Sequence, residues 1–220
     1  MGTIEQSAVS VNAGPVIVPG AELLNARWLG ERIAAMGGSW GTGNTRVAGT
    51  LWWCMAASSL VAPVVGAYAA GDPAPDSELE RISCEIRPDG GVERVFALGT
   101  VPADGNAGQI LRHTLSRVIP VVAEVTGAGV ASLWAIVADA IGNRALDLGD
   151  REAGARLARD VAGRLPVPRF SDVGARTFVR RISCCLVFEV SGCEMCTSCP
   201  KRPAAQREAL LTELAARGEG

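Results

Sequence analysis

The sequence predicts an α+β protein: a mostly helical body carrying a β-hairpin at about residues 80–99, then a C-terminal strand, a Cys-rich loop and a terminal helix. Three observations lead there. Apolar residues recur at helical spacing in most of the long runs. "PDGG" (88–91) stands between two short runs of strand character, the pattern of a hairpin. "RTFVRRISCCLVFEV" (176–190) is rich in β-branched and aromatic residues, which favour a strand. The expected division is a body over 1–170 and a C-terminal segment over 171–220 packed on it.

Residues 1–20 read as an irregular arm. In 21–36, Leu24, Trp28 and Ile33 share one face, and Gly37-Gly38 is expected to end that helix. "SWGTGNT" (39–45) reads as a loop. Val47 to Gly71 is uncharged and long enough to cross a bilayer. Its Ala, Gly and Ser content, and Pro63 in its middle, point instead to two buried helical segments, one on each side of the proline. "GDPAPDSE" (71–78) is a break. In the hairpin, Ile82, Cys84 and Ile86 alternate with polar residues, and Val92 to Leu98 returns. Leu111, Leu115, Val118 and Val122 form the face of a helix over 107–126, with a kink expected at Pro120. Leu133, Trp134, Val137 and Ile141 form the next, over about 130–146. Residues 150–165 make a polar amphipathic helix, and "PVPRFSDVG" (166–174) reads as a linker. Pro203 opens a last helix with Leu210, Leu211 and Leu214 turned inward.

Composition narrows the function. With 48% hydrophobic and 20% charged residues the chain can bury a real core. A net charge of −2 gives no electrostatic case for nucleic acid as a partner. Lys201 is the only lysine, so the positive charge is otherwise arginine. The N-terminal residues lack the basic stretch and apolar run of a signal peptide, so the expected location is the cytoplasm, with loose membrane association as the alternative and no stable insertion. "GGSWGTGNT" lacks the spacing and setting of a dinucleotide-binding turn. His113, the only histidine, reads as a helix-surface residue. Trp40, Trp52, Trp53 and Trp134 read as core side chains, with the lining of a pocket as the other use for them.

The chemistry concentrates in "CCLVFEVSGCEMCTSC" (184–199), which holds five of the seven cysteines. In a reducing compartment such a group points to metal or redox chemistry more than to disulfides. Two patterns run through it: an adjacent pair, Cys184-Cys185, followed by Cys196-x-x-Cys199, or Cys193-x-x-Cys196-x-x-Cys199-Pro200. A C-x-x-C turn sets two thiolates on one side of a tight loop, as zinc or iron–sulfur centres require. An adjacent pair on a strand would point to opposite faces, so both can serve one site only if the backbone bends there. A two-iron cluster takes ligands from a wider arc than one zinc ion and suits the pair better. Zinc and, with Cys193 counted, a four-iron cluster are the alternatives. Cys54 and Cys84, in apolar stretches, read as small core residues.

"RRISCCLVFEVSGCEMCTSCP", with C-C-x10-C-x-x-C near the C-terminus, resembles the [2Fe-2S] signature of FhuF-type ferric siderophore reductases. "TRVAGTLWWCMAASSLVAP" and "VIPVVAEVTGAGVASLWAIVADAI" resemble that family's helical segments, so the resemblance spans about residues 40–200. It implies a cluster on Cys184, Cys185, Cys196 and Cys199, with Cys193 a possible alternate ligand. It implies one-electron reduction of a ferric siderophore in iron assimilation, with electrons from a separate donor such as a ferredoxin or flavin reductase. No catalytic residue is expected beyond the cluster. Arg180, Arg181, Lys201 and Arg202 flank the cysteines and are candidates for attracting an anionic chelate, provided they share one face. The alternatives from other classes are a zinc-stapled structural domain and an iron–sulfur redox sensor.

Overall fold

The computed structural model describes residues 16–102 and 104–217. In chain order, strand β1 (Val16–Pro19) leads through a short 3-10 turn into helices α1 (Ala26–Trp40) and α2 (Thr45–Ala70). Strands β2 (Ile82–Ile86) and β3 (Val92–Ala97) precede α3 (Ala107–Thr126), α4 (Val130–Asp147) and α5 (Arg151–Val161). Strands β4 (Phe170–Val173) and β5 (Arg176–Val179), the cysteine segment and α6 (Ala204–Ala216) complete the chain. The architecture is α+β, with the expected hairpin between β2 and β3 and the expected C-terminal helix.

Helix α2 is the axis of the body. It starts at Asn44, whose side chain accepts from the N–H groups of Arg46 and Val47, and ends at Gly71 in the left-handed conformation. Helices α1, α3, α4 and α5 and strand β3 pack on it. Trp52 and Trp53 are fully buried at its centre. The Trp52 indole N–H donates to Gly90 O at 2.9 Å and ties α2 to the hairpin turn; that of Trp53 donates to Leu133 O at 3.0 Å and ties it to α4. Satisfying both donors is what lets two large amphipathic rings sit in a dry core. Near its N-terminus α2 crosses the end of α3 at Gly49. A β-carbon there would come within 2.1 Å of the Thr126 side chain, so only glycine permits the approach.

Several expectations need correction. Pro63 lies inside a single 26-residue helix and does not divide two segments. A mid-helix proline costs about 3 kcal/mol, and here the surrounding packing outweighs that cost. Helix α2 is thus long and apolar enough to cross a bilayer, yet it is the central helix of the body. Helix α3 spans the expected residues, with Pro120 inside it. Residues 16–19 of the supposed arm form β1, antiparallel to β2; the earlier part of the arm lies outside the described residues. Helix α1 runs past Gly37-Gly38 to Trp40, because Gly41 is the residue that takes the left-handed cap. The supposed linker contains β4, paired with β5. On α6, Leu211 and Ala215 are buried while Leu214 is exposed.

Candidate metal centre

The strand expected to run to Val190 stops at Val179. The cause is a carboxylate. Asp139, on α4 and only 4% exposed, accepts from Ile182 N at 3.1 Å, Ser183 N at 2.9 Å and Ser183 Oγ at 2.5 Å. These backbone donors are taken by a side chain and do not enter a sheet ladder. Three residues on, Leu186 adopts φ +61°, a left-handed conformation that costs a leucine energy and reverses the chain. Cys184 and Cys185 therefore lie in bent, irregular backbone. The bend that adjacent cysteines need in order to share a site is present. Leu186 and Val190 then seat on Val47 and Leu51 of α2, anchoring the loop by a small apolar cluster.

The far side of the loop is closed by polar contacts. Cys199 N donates to Cys196 O at 3.1 Å, which makes the tight C-x-x-C turn. The Arg202 guanidinium donates to Met195 O and to Cys196 O, and Arg207 donates to Cys199 O and Arg202 O. The result is two facing thiol pairs. Cys184 Sγ and Cys199 Sγ are 3.7 Å apart, and the thiols of Cys185 and Cys196 lie close enough to shift each other's titration. Two thiolates bound to one tetrahedral metal at about 2.3 Å sit about 3.8 Å from each other, so the first pair already has the spacing of two ligands on one ion. Among the described residues no three His, Cys, Asp or Glu side chains converge as ligands of a single ion would. The donor set is two pairs of soft sulfurs, which fits a thiolate-bound iron–sulfur core.

Charge is arranged around these sulfurs. The Arg181 guanidinium donates to Cys196 Sγ at 3.4 Å, and its Nε lies 3.6 Å from Asp139 Oδ2. Burial works against the Arg181 charge, but the sulfurs of Cys196 and Cys185 and the Asp139 carboxylate outweigh it and hold the group protonated. Hydrogen bonding with Cys196, helped by Val187 N–H and Arg181, pulls the Cys185 thiol down to about 5. The same sulfur–sulfur contact pushes Cys196 up. Burial pushes Cys184 up as well. The shift favours the thiolate at Cys185, while Cys184 and Cys196 must give up protons as metal binds.

The four flanking cations do not share a face. Lys201 borders a cavity beside Cys184, whereas Arg180 and Arg181 line a separate groove between β5 and α6. Arg181 and Arg202 are committed to holding the cysteine loop. Cys193 is half-buried and packs against the apolar cluster with Val47, Leu51, Leu186 and Val190. Cys84 is a buried core residue with its thiol raised by burial to about 12. Cys54 is also raised to about 12 by burial, but with Asp139, Arg181 and Ser183 it lines a cavity of about 80 Å3 beside the cysteine loop. His113 is exposed on α3, its Nδ1 3.0 Å from Glu78. Trp52, Trp53 and Trp134 are core residues and Trp40 is exposed. Asp139 went unnoticed in the sequence; the available signal was a lone carboxylate in the apolar run "SLWAIVADAIG".

The model of the FhuF 2Fe-2S C-terminal domain matches residues 181–201, which contain both thiol pairs and the Arg181 contact. No curated protein and no solved structure matches the chain. The Cys-rich C-terminal region is therefore a [2Fe-2S]-binding region of the FhuF type.

Proposed function

We propose that the protein is a ferric-siderophore reductase that holds its [2Fe-2S] cluster on Cys184, Cys185, Cys196 and Cys199. The observation that carries this reading is the two facing thiol pairs, one at 3.7 Å, within the segment matched to the FhuF 2Fe-2S domain. Two pairs suit a core with two thiolates on each iron better than they suit one zinc ion. Cys193 stays outside the ligand set, because it belongs to neither thiol pair.

When bound, a [2Fe-2S] cluster supplies a one-electron couple. The iron(III) of the siderophore substrate gains that electron and becomes iron(II), which hard oxygen donors hold less strongly. A separate one-electron donor, a ferredoxin or a flavin reductase, restores the reduced state. No bond of the chelator is broken, so the chain needs no nucleophile or general base. Its residues do other work. Asp139 and the left-handed turn at Leu186 bring Cys184 and Cys185 to one side, Arg202 and Arg207 close the C-x-x-C turn, and Arg181 places a positive charge on Cys196. A cation beside the ligands favours the reduced form and raises the potential.

The test is anaerobic purification with iron, sulfide and zinc analysis, EPR of the reduced protein, and iron(II) release from a ferric siderophore. The expected result is about two irons and two sulfides per chain, with iron(II) released only while a donor is supplied. Colourless protein with stoichiometric zinc would overturn the reading in favour of a structural staple.

A further inference from the structure

The largest opening that reaches a thiol is a cavity of about 510 Å3 beside Cys184. Three elements build it. Arg46 and Thr50 come from the first turns of α2, Gly127–Gly129 and Ser132 from the turn between α3 and α4, and Lys201 from the loop just beyond the C-x-x-C. The glycine-mediated contact of Gly49 with Thr126 is what brings the first two walls together. The volume is that of a small-molecule site.

Apart from the cluster ligand Cys184, the charged side chains that line it are all positive. Arg46 and Lys201 are exposed on the rim, and no acidic side chain lines the cavity among the described residues. Helix α4 begins at this wall with Gly129 as its cap and no side chain bonded to its first N–H groups. An uncapped helix start beside two cations favours negatively charged oxygens. Lys201 stacks over Phe188 at 5.1 Å, which holds its ammonium near the rim.

We infer that this cavity is the seat of the ferric chelate, and that it takes chelates with net negative charge in preference to neutral ones. The inference rests on the reductase reading for the identity of the ligand as a ferric chelate. Chelate charge follows from the donors: each hydroxamate carries a single negative charge, so a tris-hydroxamate of iron(III) is neutral. Each catecholate carries two, so a tris-catecholate remains strongly anionic. The rim discriminates between these classes without any base-like or acid-like catalytic group. Cys184, on the cavity wall, is the ligand closest to the bound chelate, which makes the electron path short.

Gallium(III) chelates test this, because gallium matches iron(III) in charge and size but is not reduced under these conditions. Cluster-loaded protein is titrated with a hexadentate tris-catecholate gallium(III) complex and with a tris-hydroxamate one. The anionic complex should bind at least about tenfold more tightly at low salt, and lose that advantage as salt rises. Arg46→Gln and Lys201→Gln should each weaken it by about tenfold while leaving the visible spectrum of the cluster and the binding of the neutral complex unchanged. Arg159→Gln, on the exposed side of α5, is the charge-matched control. Equal binding of the two complexes, or wild-type affinity in both rim variants, would overturn the assignment. Binding without reduction of the iron(III) complex would refute the reductase reading and leave the anion site standing. Reduction with an unchanged KM in both variants would do the reverse.

Discussion

Around Trp52 and Trp53 the chain is stabilised by apolar burial: helices on several sides exclude water, and each indole N–H has a carbonyl partner in another element. Between residues 180 and 203 there is neither α-helix nor strand. That segment is held by one buried carboxylate, two arginine clamps and a patch on α2 made by Val47 and Leu51. The first region is held by extensive apolar burial. The second buries little, so the free energy of cluster binding becomes part of its folding free energy. The contrast suits the proposed chemistry, since an iron–sulfur centre that serves an external substrate must lie near the surface.

The largest expected effect separates the two regions outright. Cys184→Ser or Cys199→Ala should abolish iron content and visible absorbance and open residues 180–203 to proteolysis, while far-UV circular dichroism of the body persists. If the body melts as well, the two regions fold as one unit and the comparison fails. Next, Trp53→Ala should cost about 4 kcal/mol, read as a lowered denaturation midpoint, with the visible spectrum retained below the transition. Third, Asp139→Asn removes the buried carboxylate that accepts from Ile182 and Ser183 and faces Arg181, and should weaken the anchoring of the cysteine loop by about 3 kcal/mol. Faster cluster loss to a chelator would show this. The reduction potential of the surviving cluster should rise, because a negative charge has been removed beside it. An unchanged potential would make Asp139 merely a structural support.

The smallest effect is expected at Cys193. Cys193→Ser should keep full iron content and an unchanged EPR signal, and should lower the number of thiols alkylated in the loaded protein by one. Cys54 and Cys84 should stay unlabelled at pH 8. Their thiols are raised to about 12, so both are protonated at that pH and shielded by burial. Loss of the cluster in this variant would return Cys193 to the ligand set.

Legibility followed how local each determinant is. The hairpin was readable because "PDGG" carries its own turn chemistry, and the faces of α3 and α4 because helical spacing is a short-range signal. The last strand is shorter than its residue types suggest because Asp139, more than forty residues upstream, takes the backbone donors that would have continued it. Pro63 does not break α2 because its cost is local, whereas the packing that overrides it comes from five other elements. The basic residues near the cysteines looked like one group in sequence, and the fold sent Lys201 to the cavity, Arg180 to another groove and Arg202 into the loop.

The sequence by itself determined the donor chemistry: soft thiolates, an adjacent pair and a C-x-x-C, spaced for a zinc or iron–sulfur centre. Residue type and short spacing suffice for that, because sulfur's affinity for such metals is intrinsic. Only the tertiary structure decided how the thiols pair, which carboxylate bends the backbone to make the adjacent pair usable, and which cations face an open cavity. Those depend on where α2, the α3–α4 turn and the cysteine loop meet, and that meeting is set by packing across the whole chain.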